Sequence, residues 1–272
     1  MKTIAALLTV FNRREYTLKC LSRLYAQQPM EGYALDVYLT DDGCTDGTPE
    51  AVSERFPKVH IVKGDGTLFW NRGMIAAWKE AAKGDYDFYL WLNDDTFPYS
   101  CMLPVLTKAT EEHSGAILVG ATESADHKQM TYGGSYKGVA VRPAGKLVPL
   151  TCFNGNIVLV PRSVFLRLGY LDSYFRHSKG DFDYAMRAHE AGIEMYLADR
   201  FLGECDLHPR IDKWCDPEVP FCQRWRMLHR PNGMPPKEIF HLERRHYGVC
   251  RAVFHYFTVY LRCLCPWLWK NC

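Results

Sequence analysis

The sequence predicts an α/β protein with a mostly parallel, doubly wound sheet flanked by helices, followed by a C-terminal helical extension. Three features predict it. Between residues 3 and 92, short apolar runs and helical patterns alternate four times with short connections. The run Phe88–Leu92 is apolar without alternation, as in a strand buried on both faces. Each run then ends in polar residues, so Thr9–Asn12, Asp41-Asp42 and Asn93–Asp95 collect at the carboxyl edge of one sheet, where open α/β sheets bind ligands.

Taken in order, Thr3–Thr9 reads as a buried strand and Arg14–Gln28 as a helix with Leu18, Leu21 and Tyr25 on one face. Leu35–Thr40 is a second strand. Thr48-Pro49-Glu50 has the pattern of an N-cap, a proline at the first helical position and an acid in the first turn, opening a helix to about Arg55. Val59–Lys63 is a strand, Gly64-Asp-Gly66 a turn, Arg72–Lys83 a helix and Phe88–Leu92 the fourth strand. Beyond Asp95 the spacing predicts a helix over Cys101–His113, a strand at Ala116–Gly120 and a hairpin excursion over Met130–Val148. Then come a strand over Cys152–Val160 containing Asn154-Gly-Asn156, a short helix Ser163–Leu168, and a helix Gly180–Glu190 closed by Gly192.

With 272 residues, 47% of them hydrophobic, the chain supports one large domain or a domain with an appendage. The net charge of +2 is uneven: residues 207–272 hold eleven Lys/Arg against five Asp/Glu, or +6, which leaves the rest at −4. An acidic body with a basic tail is implied. Eleven cysteines without a CxxC pair or zinc-type spacing read as free thiols in a reducing cytoplasm. Lys2 and the apolar Ile4–Val10 run straight into Asn12-Arg-Arg14 without a small-residue cleavage site, so this stretch is expected to be the first strand rather than a signal peptide.

Two places carry candidate chemistry. Asn93-Asp-Asp95 puts adjacent carboxylates at the end of a buried strand, where they need solvent, a partner or a cation. It reads either as a divalent-metal site for a diphosphate or as a solvated turn. No glycine-rich phosphate loop follows the first strand, which favours the carboxylate–metal reading. In Gly180-Asp-Phe-Asp-Tyr-Ala-Met-Arg187, Asp183 and Arg187 are four apart and expected to pair. Asp181 faces another side of the first turn, where the helix dipole favours its ionised form and suits it to take a proton from a hydroxyl; a plain first-turn acid is the alternative.

These pieces together resemble the family 2 inverting glycosyltransferases of the GT-A fold. Leu8-Thr-Val-Phe-Asn-Arg13 is similar to that family's opening strand, and Thr40-Asp-Asp-Gly-Cys-Thr-Asp-Gly-Thr48 to its second-strand nucleotide motif. Asn93-Asp-Asp95 sits in the place of its D-x-D metal motif, and Gly180–Arg187 resembles its E-D-x-D-x-x-x-R motif. The resemblance implies that Thr9, Phe11 and Asp42 contact the nucleotide base, and that Asn93 and Asp94 lie near ribose and phosphates. It implies that Asp95 ligates Mg²⁺ or Mn²⁺ on the diphosphate and that Asp181 is the general base. Asn93 departs from the usual first aspartate. Gly180 departs from the usual glutamate, which leaves a supporting contact to the base missing. The loop Gly64-Asp-Gly-Thr-Leu-Phe-Trp-Asn-Arg-Gly73 is most similar to bacterial rhamnosyltransferase-type members. Trp70 is placed to stack on base or sugar, or else in the core. Asn154 and Asn156 are weaker acceptor-side candidates, and His208 a weaker metal ligand.

The expected organisation is a catalytic domain over residues 1–205, with 1–97 binding nucleotide and 98–205 carrying acceptor and base, and a basic aromatic extension over 206–272. The expected reaction moves a sugar from a dTDP- or UDP-sugar to a hydroxyl of a glycan or lipid-linked glycan in bacterial surface polysaccharide synthesis. A degenerate, non-catalytic binding or scaffold subunit is the alternative. A sugar-nucleotide pyrophosphorylase would want an early glycine-rich loop that is absent here. Val249–Leu264 is apolar at helical spacing yet too short and charged to span a bilayer core of about 30 Å. It fits peripheral contact with the inner face of the cytoplasmic membrane, or a helix packed on the body or in a homodimer. No nucleic-acid motif accompanies the basic tail.

Overall fold

The computed structural model describes residues 1–27, 30–207 and 212–269. The first half alternates β1 (Lys2–Val10), α1 (Arg14–Tyr25), β2 (Tyr33–Asp41), α2 (Thr48–Arg55), β3 (Val59–Lys63), α3 (Phe69–Ala81) and β4 (Phe88–Leu92). After β5 (Phe97–Pro98), α4 (Met102–Glu112) and β6 (Ile117–Glu123) come five short strands, β7 (Met130–Tyr132), β8 (Gly134–Tyr136), β9 (Val139–Val141), β10 (Val148–Pro149) and β11 (Cys152–Phe153). The body closes with β12 (Ile157–Pro161), α5 (Arg162–Leu168), α6 (Gly180–Glu190) and β13 (Met195–Glu204). Three further helices follow, α7 (Phe221–His229), α8 (Pro236–Tyr247) and α9 (Val249–Leu264).

The central sheet runs β10-β13-β6-β12-β4-β1-β2-β3, with β5 and β7 on its margin. The neighbours β4, β1, β2 and β3 are parallel, while β12 is inserted antiparallel between β4 and β6. Strand order reverses at β1: β2 and β3 lie to one side and β4 to the other. A crevice therefore opens between the carboxyl ends of β1 and β4. Both sheet faces are covered, which explains the unbroken apolar runs. On β4, Phe88, Leu90 and Leu92 join the layer under α1 and α4. Tyr89 and Trp91 join the opposite layer, against Trp78 of α3 and Tyr184 of α6. Successive side chains point to opposite faces, so a strand with two buried faces needs apolar residues at every position.

Three local expectations differ from the structure. The stretch 152–160 is not one strand: Phe153 pairs with Gly134 in the small β11-β8-β9 sheet, while Ile157 pairs with Leu92 in the central sheet. Asn154-Gly-Asn156 is the break, where the chain leaves one sheet for the other. Thr48 lies inside α2, with Gly47 at the cap position, because Asp46 accepts the Thr48 amide (3.1 Å) and its hydroxyl. Helix α3 begins at Phe69 rather than Arg72, since Asp42 binds the Phe69 amide and Asn71 is tied down by distant carbonyls.

The basic tail is clamped onto the acidic body through α8. Arg245 donates to Asp172 and Asp183, both at 2.6 Å, His241 meets Asp172 at 2.9 Å, and Arg176 meets Glu238 at 2.7 Å. Asp183, fully buried, also receives Arg187 at 2.9 Å, so the expected Asp183–Arg187 pair is present within a larger ionic cluster. Helix α7 is fixed to the end of α9 by buried Arg224, which donates to the Cys263 carbonyl at 2.9 Å.

Candidate active site

The ends of β1 and β4 and the start of α6 frame two adjoining cavities. One, of about 370 Å³, is lined by Asn93, Asp94, Asp95, Asn154, Asn156 and Asp181, among others. The second, of about 490 Å³, is lined by Thr9, Phe11 and Asp42 with Gly66, Phe69 and Asn232. Arg13, Trp70, Asp94 and His177 border both, so the two form one continuous cleft. Every candidate site residue from the sequence lines it except His208, which lies outside the described residues.

The carboxylate pair is buried at the end of β4. Arg13, at the end of β1, reaches across the strand gap to Asp95 (2.5 Å) and Asp94 (3.4 Å). Burial, then the adjacent Asp95 charge, push the Asp94 carboxyl up to about 7, against the pull of Arg13. The second oxygen of Asp94 is buried without a hydrogen-bond partner. An orphaned carboxylate oxygen beside another carboxylate is short of positive charge, which a cation would supply. Among the described residues no three His/Cys/Asp/Glu side chains converge as a closed metal cage. Mg²⁺ and Mn²⁺ do not require one, because one or two carboxylates with substrate phosphates and water complete their shell. Asp94 and Asp95 therefore fit such an ion, held together with a diphosphate.

Asp181 occupies the first turn of α6 and lines the same cavity. Its carboxylate accepts the Gly155 amide at 3.0 Å and the Phe182 amide at 2.9 Å. The sequence implied that the helix end would favour ionisation; instead burial raises the Asp181 pKa, outweighing both amides and Lys179. A raised pKa brings a carboxylate nearer to what a general base needs at neutral pH.

Both departures from the family pattern have structural partners. Asn93 accepts the Trp70 indole N–H at 2.7 Å, so the amide orients the ring that borders both cavities. A Cβ on Gly180 would fall 1.8 Å from the Asn71 side-chain oxygen. Asn71, fully buried and donating to the Asp172 and Phe175 carbonyls, already fills the space a glutamate would need. Gly155 is likewise excluded from carrying a side chain by the Trp70 ring, 2.7 Å from where a Cβ would stand.

Asp42 also shapes the loop into α3, because its oxygens accept the amides of Gly66, Leu68 and Phe69 at 2.8–3.2 Å. Asn156 donates to Thr96 at 3.3 Å and is a mostly buried part of the cavity lining. Three non-glycine residues at the cleft hold positive φ, Asn12 (52°), Phe69 (56°) and Lys179 (76°). Such backbone costs about 1–3 kcal/mol each and persists where neighbours enforce it. The Asn12 side chain accepts the Thr45 amide at 2.7 Å, and Asp42 holds Phe69.

Sequence reasoning assigned no role to Arg13, Tyr132, His177, Lys179, Phe182 or Asn232. Arg13 had a signal, as a cation at the strand end next to the one bearing two acids. Asn232, in the loop after α7, had none.

The sequence profile described as "Glycosyl transferase family 2" matches residues 6–175, well over half of the chain. The chain belongs to glycosyl transferase family 2. The matched region of this family 2 chain contains the β1, β2 and β4 ends of the cleft and Asn154–Asn156, and stops before His177–Phe182. A search of curated proteins finds no match. Among solved structures, the chain is similar to S. aureus TarS 1-349 in complex with UDP: 15% identity, TM-score 0.60, 95% of this chain and 90% of that one. It is also similar to the mannosyltransferase PcManGT from Pyrobaculum calidifontis in complex with GDP-Man and Mn²⁺, with 15% identity, TM-score 0.58, and 94% and 73% of the two chains covered. Against a longer S. aureus TarS chain (15% identity, TM-score 0.59), 91% of this chain spans 44% of that one. At such identities the likeness carries the GT-A fold: a mostly parallel central sheet flanked by helices.

Proposed function

We propose that this glycosyltransferase is an inverting, metal-dependent enzyme. It takes a sugar from a nucleotide-diphosphate donor, a dTDP- or UDP-sugar, to a hydroxyl of a glycan or lipid-linked glycan, as a rhamnosyltransferase-like member acting in bacterial surface polysaccharide synthesis. The observation that carries this reading is that Asp95 and Asp181, 86 positions apart in sequence, line one cavity.

In this reading the base sits in the 490 Å³ cavity against Thr9, Phe11 and Asp42, with Trp70 as a stacking face where the two cavities join. Asn93 and Asp94 lie near ribose and phosphates. Mg²⁺ or Mn²⁺ held by Asp95 and Asp94 would neutralise charge on the departing diphosphate. Asp181 takes the proton of the acceptor hydroxyl. That oxygen bonds to the anomeric carbon as the bond to the diphosphate breaks on the opposite face, so one displacement inverts the configuration. Asn154 and Asn156 border the acceptor end. We assign nucleotide binding to residues 1–97, acceptor and base to 98–205, and an accessory role to 206–272.

One observation favours a second reading, a nucleotide-sugar-binding subunit without turnover: Arg13 already supplies positive charge to Asp94 and Asp95. Thermal-shift measurements with UDP-, dTDP- and GDP-sugars, with and without Mn²⁺, address both readings. Bound donor raises stability by mass action, by about 2.7 kcal/mol at a hundredfold excess over Kd. A Mn²⁺-dependent shift with one base identifies the donor, and released nucleotide then marks an enzyme. A shift without release favours the binding subunit. No shift with any sugar nucleotide contradicts both.

A further inference from the structure

We propose that α9 and the turn after it dock flat on an anionic lipid bilayer. Phe254, Phe257, Leu261 and Leu264 follow one another at steps of three and four residues, so they form one stripe along α9, and Leu268 lies in the turn after it. They are 44–67% exposed, and Trp267 beside them is 59% exposed. Large apolar side chains left in water on one continuous face mark an interaction surface.

Length and charge identify what covers it. Helix α9 has 16 residues and is about 24 Å long. Among the described residues no helix is long and apolar enough to cross a membrane, so the stripe lies on a surface. From Arg244 to Cys272 the chain has five Lys/Arg and no Asp or Glu. Arg251 and Arg262 are exposed on the flank of α9, where Arg251 also meets Glu243 of α8 at 3.9 Å, and Arg226 on α7 and Arg230 just after it are exposed beside them; α7 packs against α9 through Trp225 and Tyr260. A second copy laid on the same face would set arginines against arginines, with no acid on either helix to pair with them. Anionic headgroups complement this rim, and a tryptophan beside an apolar stripe suits the bilayer interface.

The flank of α9 that carries the two arginines is not idle. Arg251, His255, Val259 and Arg262 line a cavity of about 390 Å³ that also includes Lys179, two residues before Asp181. A docked α9 therefore lies beside the catalytic end of the molecule, where a lipid-borne acceptor would be delivered.

The inference is independent of whether the cleft transfers a sugar, and its test needs no turnover. The purified full chain is sedimented with sucrose-loaded vesicles, either of phosphatidylcholine alone or containing about one third phosphatidylglycerol. Binding is expected with the anionic vesicles and is weakened by salt. Replacing both aromatics, Phe254→Ser with Phe257→Ser, weakens it by about tenfold or more. Arg251→Gln with Arg262→Gln weakens it by about fivefold per arginine. Circular dichroism checks that each variant is folded, and the arginine pair decides the matter if the aromatic pair fails to fold. Protein that stays in solution with both vesicles overturns the inference. So does a dimer in sedimentation velocity that the aromatic substitutions dissociate.

Discussion

At the scale of single residues, the cleft is a set of side chains whose charges only balance together. Asp94 is the least satisfied of them. Its folded-state pKa of about 7 lies above the 3.8 of a free aspartate, so between those values the folded state holds a proton that the unfolded chain releases. Without metal, this group's contribution to stability is therefore present at low pH and lost as pH rises towards 7. A cation needs the ionised form. Mn²⁺ affinity, followed by titration calorimetry, should tighten by up to about tenfold per pH unit up to 7 and then level off. A second residue-scale prediction concerns Gly180. Gly180→Ala must displace Asn71 from two buried hydrogen bonds and should cost about 2 kcal/mol in denaturant unfolding. Adding Asn71→Gly should restore part of the tolerance for a side chain at 180. These pairings were only partly legible in the sequence. Acids at strand ends announce themselves. That Asn71 stands in the place of a glutamate side chain does not, because 109 positions separate it from Gly180 and only the fold brings them together.

At the scale of elements, the alternating half was readable because each strand is buried on both faces and each helix presents one apolar side. Val59–Lys63, Phe88–Leu92, Gly180–Glu190 and Val249–Leu264 have the boundaries their patterns predict. Reading failed where a polar interruption had two meanings. Asn154-Gly-Asn156 looks like residues at the edge of one strand, yet it is where the chain changes sheets and turns the Gly155 amide towards Asp181. Helix α8 shows the same limit. Charge asymmetry predicted a basic tail and an acidic body, but not that Asp172 and Asp183 would be the docking points. Burial opposes ionisation of Asp172, yet the Tyr174 amide, His241 and Arg245 outweigh it and hold its pKa down to about 2. A depressed pKa contributes stability above the unfolded value, and that contribution is lost as pH falls towards 2. Acid titration should therefore loosen α8 before the sheet, seen as earlier loss of hydrogen-exchange protection in residues 236–247. Arg245→Ala removes a partner from fully buried Asp183. Since Arg245 is partly exposed and Arg187 remains, about 2 kcal/mol is the expected loss in an unfolding experiment.

At the scale of the whole molecule, strand order does the assembling. Because β1 has β2 on one side and β4 on the other, their carboxyl ends open a crevice. The chain must then return through α6 to close the far wall. The cleft thus gathers Asp42, Asp94 and Asp95 from one half and Asp181 from the other, with Arg13 spanning the gap between β1 and β4. The measurement that tests this arrangement most directly is a comparison of Asp95→Asn and Asp181→Asn, reading sugar-nucleotide affinity and turnover separately for each. Asp181→Asn should lower turnover by about 10²–10⁴-fold while nucleotide and Mn²⁺ bind as before. Asp95→Asn should weaken Mn²⁺-dependent nucleotide binding itself. Unchanged turnover in Asp181→Asn, or a loss of nucleotide binding equal in the two variants, would contradict the account.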